Sequence, residues 1–285
     1  MFVLLGYAIV ILSVFGGYAL GGGHLGPMFQ PIEVLIIGGA AVGAFVVGNS
    51  PKCLKATLAA LPDCVRGSKY TKALYMELMA LLYDILNKTR KEGLMAIERD
   101  VENPKESALF NKYPTVSADP HLVVFITDYL RLMVSGNMNA FEIENLMDHE
   151  IETHHHEAEL PSNTIQKIAD GLPAFGIVAA VMGVVHTMQS VGIPPSELGK
   201  LIAQALVGTF LGILLAYGVV GPVASLLQQR ADESSKVLQC IKVTLLATLN
   251  GYAPPIAVEF GRKVLYSTER PSFAELEMHV KQSRA

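Results

Sequence analysis

Apolar stretches alternate with mixed, more polar stretches along the chain. A helix needs about 20 apolar residues to cross the hydrocarbon of a lipid bilayer. Four stretches reach or approach that length, and the second, which is short and rich in glycine, needs support from packing against its neighbours. The predicted membrane spans are residues 1–21, 34–50, 172–193 and 201–228.

Helical spacing also marks the segment between the second and third spans. Residues 69–92, 120–134 and 139–159 are predicted to be helices. We expect a break at Pro161, ahead of the third span, and a helix that continues from the fourth span to Leu249. No alternation of period two persists. The predicted fold class is therefore an all-α integral membrane protein with four transmembrane helices and a split α-helical cytoplasmic domain.

Charged residues are distributed unevenly. The chain has 22 basic and 26 acidic residues, but residues 1–50 and 169–229 together contain only four of them. These four are Glu33, Asp170, Glu197 and Lys200. The predicted division is transmembrane helices 1 and 2 in residues 1–50, a cytoplasmic domain in 51–168, transmembrane helices 3 and 4 in 169–229, and a cytoplasmic tail in 230–285 that completes the cytoplasmic domain.

Basic residues near the span ends predict the orientation. Lys52, Lys55 and Arg230 adjoin the large loop and the tail, whereas the two short connectors carry only Lys200. Basic loops tend to stay on the cytoplasmic side, so the large loop and both termini are expected there. The net charge of −4, without a basic stripe, argues against nucleic-acid binding. Three cysteines give no disulfide framework.

The sequence offers no enzymatic motif and predicts neither a cofactor nor a metal. The adjacent histidines 154–156 point in different directions on a helix. We expect them to form a solvated face, with metal binding as the minor alternative. Glu33, Asp170 and Glu197 fall at span edges. A proton pathway normally needs an ionisable group within the membrane, so an ion-driven process here requires a carboxylate from another chain.

Several residues admit both a structural and a functional interpretation. Thr209, in the fourth span, either bonds to the carbonyl of Ala205 or lines an ion path. Pro173 and Pro222 are either ordinary membrane-helix prolines or hinges.

The small residues of the third and fourth spans have the spacing that lets helix backbones approach closely. They serve either packing within the subunit or a seam for partner helices, and they include Gly176, Ala180, Gly208 and Gly212. Arg90 and Glu98 flank a turn at Gly93. They belong either to a solvated charged face or to a docking patch.

Four segments together resemble the MotA family of flagellar motor stator subunits over nearly the whole chain. They are 89–132 (beginning TRKEGLMAIERD), 171–187 (GLPAFGIVAAVMGVVHT), 207–222 (VGTFLGILLAYGVVGP) and 249–273 (LNGYAPPIAVEFGRKVLYSTERPSF). The resemblance implies a ring, with five copies expected, in a bacterial inner membrane. It also implies a central MotB-type partner with a single span, which supplies the membrane aspartate, and ion flow between the two that drives torque on the rotor.

The resemblance also implies roles for individual residues, by their positions in these segments. It pairs Thr209 with the MotB aspartate, puts Asp170 below that pair, assigns Pro173 and Pro222 to conformational coupling, and assigns Arg90 and Glu98 to contact with the rotor protein FliG.

Sodium-type relatives resemble one another in carrying extra hydroxyls near the threonine, where this chain has Ala180 and Gly208. We therefore predict that the ion is a proton. Two alternatives remain. One is an ExbB/TolQ-type proton-driven energiser, against which four spans and the 89–102 motif argue. The other is a passive channel scaffold, which would conduct ions alone.

Overall fold

A computed structural model describes residues 2–189 and 192–282, with side chains described up to residue 279, and this part of the chain is helical without strands. The helices are α1 (Phe2–Leu20), α2 (Pro31–Val47), α3 (Pro51–Val65), α4 (Lys72–Glu92), α5 (Glu98–Glu102), α6 (Ala108–Asn111), α7 (Pro114–Ser117), α8 (Pro120–Ser135), α9 (Ala140–Met188), α10 (Pro195–Leu249), α11 (Pro254–Val264) and α12 (Phe273–Gln282). Short 3-10 turns cover Gly26–Met28 and Leu94–Ile97. One π-helical segment lies in α1 (Leu12–Gly16) and one in α10 (Leu214–Val220).

Four helical stretches of the described chain are long and apolar enough to cross a membrane, which confirms the number of predicted spans. They are Phe2–Leu20, Gly26–Val47, Ala140–Met188 and Pro195–Leu249. The second begins at Gly26 and not at residue 34, because the 3-10 turn and the first turn of α2 extend it. Continuation of the fourth helix to Leu249 is confirmed. Residues 190 and 191, in the predicted third span, lie outside the described residues.

The break expected at Pro161 is wrong. Helix α9 runs for 49 residues through both Pro161 and Pro173. A proline removes one backbone hydrogen bond, which surrounding contacts can offset. Here Pro161 is buried, and the adjacent Ser162 hydroxyl donates a 2.7 Å bond to the carbonyl of Ala224 in α10. Packing therefore maintains the helix where local sequence alone predicts an end.

The chain divides into two compact units. The first unit comprises Met1–Gly67 and Ala158–Arg230, and the second comprises Ser68–Glu157 and Ala231–Ala285. Helices α9 and α10 contribute residues to both. The domain boundaries predicted from the sequence mark the expected edges of the membrane. The two units are defined by compactness, so they do not test those boundaries.

Few large side chains are buried in the first unit. Helix α1 has no buried side chain among its described residues. The apolar core between α2, α9 and α10 is small, and it consists of Ile37, Ala41, Leu172, Ala179, Val207, Leu211 and Ala216. Exposed apolar side chains in contact with lipid are expected for a membrane-spanning unit, because lipid tails are as apolar as leucine.

The second unit has an extensive apolar core. Ten of the 21 residues of α4 are buried, among them Tyr75 and Leu82. They pack with side chains from α8, α9, α10 and α11 in one cluster. An ion pair of 2.7 Å between Lys72 and Glu275 joins α4 to α12. This is the pattern of a helical domain that folds in water.

Candidate functional site

Helices α9 and α10 meet backbone to backbone in the first unit. A β-carbon added at Gly176 would lie 2.7 Å from the carbonyl oxygen of Gly208, and one at Gly212 would lie 2.7 Å from that of Leu172. Such distances leave no room for a side chain. The prediction that these small residues pack the helices within the subunit is confirmed.

We call this close contact between the two helices the α9–α10 seam. The residues predicted for the ion path lie partly on it. A β-carbon on Gly208 would lie 3.0 Å from the backbone nitrogen of Ala180, so these two positions are in contact across the helices. Ala180 is buried and Thr209, the next residue after Gly208, is half-buried.

The hydroxyl of Thr209 is not tied to its own helix. Thr187 makes the familiar back-bond, since its hydroxyl donates to the carbonyl of Gly183 at 2.9 Å. No such bond joins Thr209 to Ala205 among the hydrogen bonds of the described residues. The structural interpretation of Thr209 is therefore not supported, and its hydroxyl is available to another group.

Asp170 is exposed on the surface of the first unit. The side-chain amide of Gln166, one turn earlier on α9, donates a 2.7 Å hydrogen bond to its carboxylate. The structure provides no contact between Asp170 and Thr209. Its role below the threonine remains a prediction.

The two prolines occupy different environments. Pro173 is half-buried and follows Leu172, whose carbonyl lies at the closest approach of α9 to α10. Pro222 is exposed and comes two residues after the π-helical segment Leu214–Val220. Proline cannot donate the backbone bond that an α-helix requires, so a wider turn just before it is physically reasonable.

Sequence reasoning missed a side-chain hydrogen bond to this π-helical segment. The hydroxyl of Tyr7, on α1, donates a 3.0 Å hydrogen bond to the carbonyl of Val219. The same two helices enclose an apolar cavity of about 190 Å³ lined by Tyr7, Gly218 and Pro222 among others. A tyrosine within an apolar span is the one signal that could have suggested a buried polar partner.

The side chain of Glu33 packs in a place that sequence reasoning did not predict. Glu33 lies in the first turn of α2, near the start of the helical stretch Gly26–Val47, which agrees with its predicted place near a span edge. Its carboxyl lies over the seam of α9 and α10, where a β-carbon on Gly208 would be 2.9 Å from Oε2. The sequence could not predict this packing, because Glu33 and Gly208 are 175 positions apart in the chain.

Arg90 and Glu98 lie in the second unit, at the end of α4 and the start of α5. The backbone reverses between them at Gly93, whose φ of +89° suits glycine. Both side chains are exposed. Neither takes part in an ion pair with a described residue, although Lys88 pairs with Asp100 at 2.7 Å. Their exposure without ion pairs fits both a solvated charged face and a docking patch.

The prediction that histidines 154–156 form a solvated face is wrong for two of them. His154 and His155 are half-buried, and their ring nitrogens lie 3.2 Å and 2.9 Å from the hydroxyls of Ser234 and Ser235 on α10. Burial lowers the pKa of His154, and the nearby His121 adds to this effect. Only His156 is exposed. Helical geometry turns two of three consecutive rings towards α10, where each lies within hydrogen-bond distance of a serine hydroxyl.

Comparison with known proteins agrees with this architecture. The model of the motility protein A N-terminal family matches residues 4–93. The model of the MotA/TolQ/ExbB proton channel family matches residues 122–240. Motility protein A of Salmonella typhimurium is 61% identical over 284 residues, which is 100% of this chain and 96% of that protein.

Two solved structures share the fold. One, described as the structure of C. jejuni MotAB, has a TM-score of 0.78 at 20% identity and covers 95% of this chain and 98% of that one. The flagellar MotAB stator complex from Bacillus subtilis has a TM-score of 0.74 at 24% identity, covering 96% and 98%. The second family model is shared with TolQ and ExbB, but the first model and the full-length relative are not. The chain therefore belongs to the motility protein A family.

Proposed function

We propose that this chain is a stator subunit of the bacterial flagellar motor, resident in the inner membrane with its large loop and both termini in the cytoplasm. Several copies, five by our prediction, form a ring around a MotB-type partner with a single span. Protons that pass between ring and partner drive the ring to step, and the second unit exerts torque on FliG. Membership of the motility protein A family supports the general role.

One observation carries the torque-generating part of the proposal. Arg90 and Glu98 are exposed and have no ion-pair partner among the described residues. Some nearby charges are engaged, since Lys88 pairs with Asp100 and Arg131 pairs with Glu102, each at 2.7 Å. Lys91, Glu92 and Arg99, at the same turn, are exposed and without an ion pair to a described residue, so the whole turn presents free charges. Unpaired, opposite charges on either side of a turn favour docking to a complementary charged surface, where they affect partner choice and association rate.

The composition of the α9–α10 seam supports proton use. Ala180 and Gly208, which meet beside Thr209, contribute no side-chain oxygen. A dehydrated metal cation needs several oxygen ligands, whereas a proton needs a single acceptor. The partner's aspartate would be that acceptor in the proposed complex, with the free hydroxyl of Thr209 facing it.

The energy available fits the proposal. One elementary charge that crosses 100 mV releases about 2.3 kcal/mol. A change of conformation near Pro173 and Pro222 needs to shift an equilibrium by only a few kcal/mol.

Charge exchange with the rotor tests the proposed contact. In cells that lack their own stator, Arg90→Glu should lower torque several-fold. A complementary reversal on FliG should restore part of it, because the attraction is regained. Lys263→Glu, an exposed charge at the end of α11, is the matched control and should change neither. If no reversal on FliG rescued Arg90→Glu, the docking proposal would be wrong.

Ion conduction by the purified protein separates the proposal from its alternatives. A stator subunit purified without its partner should carry no ion current in vesicles, whereas a channel scaffold would conduct. Dependence of torque on external sodium at fixed pH would contradict proton use.

A further inference from the structure

Glu33 is a half-buried carboxylic acid of α2 whose side chain lies against α9 and α10 in the first unit. Its Oε2 lies over Gly208 and its Oε1 over Gly183, since added β-carbons there would be 2.9 Å and 3.7 Å from these oxygens. The carboxyl thus rests on the backbones of α10 and α9 at two positions that carry no side chain. Glycine at both positions provides the space that it occupies.

The position of these glycines gives the depth of the carboxyl. Gly208 lies seven residues beyond Leu201, where the predicted fourth span begins. At about 1.5 Å per residue, this is roughly 10 Å into the span. Gly183 lies five residues before Met188, where α9 ends. Both counts put the carboxyl in the half of the membrane opposite the large loop.

The carboxyl lacks compensation at that depth. Oε2 is fully buried and accepts no hydrogen bond from any residue that the structure describes. Glu33 is also absent from the ion pairs of the described chain, and Glu197 and Lys200, the nearest charges in sequence on α10, are exposed. An ionised carboxylate without a partner is costly in such surroundings. An acidic residue within a membrane span generally marks a proton or ion pathway.

We propose that Glu33 is a proton-binding site in the outer half of the membrane, on the route by which protons reach Thr209. In each cycle the carboxylate takes one proton from the external side and becomes a neutral carboxylic acid. It then gives that proton to the next acceptor inwards and returns to the carboxylate. The placement follows from Gly208, which lies under the Glu33 carboxyl and directly precedes Thr209 in the chain. The role in the route rests on the proposed stator function, but the binding of a proton does not.

Infrared spectroscopy of the purified stator complex tests the binding step. Wild type should show the carbonyl stretch of a protonated, buried carboxylic acid, and Glu33→Gln should lose it. Glu197→Gln is the matched control, because Glu197 lies in the first turn of α10 and is exposed; it should retain the band. A spectrum that Glu33→Gln leaves unchanged would overturn the proposal.

Motility at varied external pH tests the route. Glu33→Gln should swim several-fold more slowly than wild type at high external pH, where protons are scarce, and the difference should shrink at low pH. Glu33→Asp, which keeps the acid but shortens its reach, should fall between the two. Equal amounts of each variant should co-purify with the partner.

Each remaining outcome has a distinct meaning. Loss of the infrared band with unchanged speed at every pH would overturn the route. A speed defect that tracked external sodium at fixed pH would overturn proton binding in favour of a cation site. If wild type itself restored no motility with its partner, the stator proposal would fail while the infrared result still decided the binding step.

Discussion

Large side chains separate the helices of the second unit, whereas α9 and α10 of the first unit meet backbone to backbone. In the second unit, Tyr75, Phe110 and Tyr129 are each at most 2% exposed. In the first unit, the closest contacts are made by Gly176, Gly208 and Gly212. Helices pack closely in both units, through large side chains in the second unit and through glycines in the first.

The difference follows from the two solvents. In water, burial of apolar area drives packing at about 25 cal/mol per Å², so large side chains contribute most. In lipid that driving force between helices is lost, and close van der Waals contact between small residues replaces it. Burial of a leucine therefore stabilises the second unit more than the first. A glycine at a helix contact stabilises the first unit more than the second.

The largest expected effect is the removal of a large side chain from the core of the second unit. Leu82 is fully buried in α4, whereas Leu35 in α2 is 73% exposed. Leu82→Ala should lower the free energy of unfolding by about 2–5 kcal/mol, because it loses transfer energy and leaves a cavity. Leu35→Ala should have little effect. Thermal unfolding of the purified protein measures both, and equal losses would contradict the comparison.

A smaller effect is expected when a side chain is added to the first unit. Gly212→Ala brings a methyl group within 2.8 Å of the Cα of Gly176, so the helices must separate. Overpacking of this kind costs about 1–3 kcal/mol. Gly199→Ala, on the same helix, meets no atom within 4 Å and is the control. If both variants unfolded at the same temperature, close backbone contact would not stabilise this unit.

The smallest expected effect is the dependence of the second unit's stability on pH, through His154, which contacts α10. Burial lowers the pKa of His154; His121 and Lys69 act in the same direction, and Glu150 and Glu157 oppose it. The unfolded chain thus binds the proton more readily than the folded one. The free energy of unfolding should fall as pH drops through about 6.5, the ordinary histidine value, and level off below the folded pKa.

Hydrogen exchange of the α4 amides measures this dependence within the second unit. His154→Gln should flatten the decline in protection from about pH 7.5 to about pH 5.5, which brackets the ordinary histidine pKa. The exposed His156 offers the control, and His156→Gln should keep the slope of wild type. An unchanged slope in His154→Gln would exclude His154 as its source.

The sequence predicts this architecture well where the signal is local. Apolar runs identify four spans, and the absence of a stop signal after Arg230 correctly predicts that α10 continues to Leu249. Pro161 is misleading, because the bond from Ser162 to Ala224 that accompanies its burial joins residues 62 positions apart. Periodicity contains no information on such distant partners.

The candidate site is predictable to a similar degree. Spacing alone indicates that Gly176, Gly208 and Gly212 pack helices, and the structure confirms it. The packing of the Glu33 carboxyl over Gly208 and Gly183 could not be predicted, because these residues belong to three helices that are far apart in the sequence. Exposure of Arg90 and Glu98 is expected from their charge, but the lack of ion-pair partners needs coordinates.

The bond from Tyr7 to Val219 bears on how the protein is made. Its two residues are 212 positions apart, in the first and last spans. Tyr7, which carries the donor hydroxyl, is therefore synthesised long before Val219, whose carbonyl accepts the hydrogen bond. If the spans enter the membrane in chain order, the donor is already in the bilayer when the wide turn arrives. The π-helical segment of the last helix can then gain this hydrogen bond as soon as it enters the bilayer.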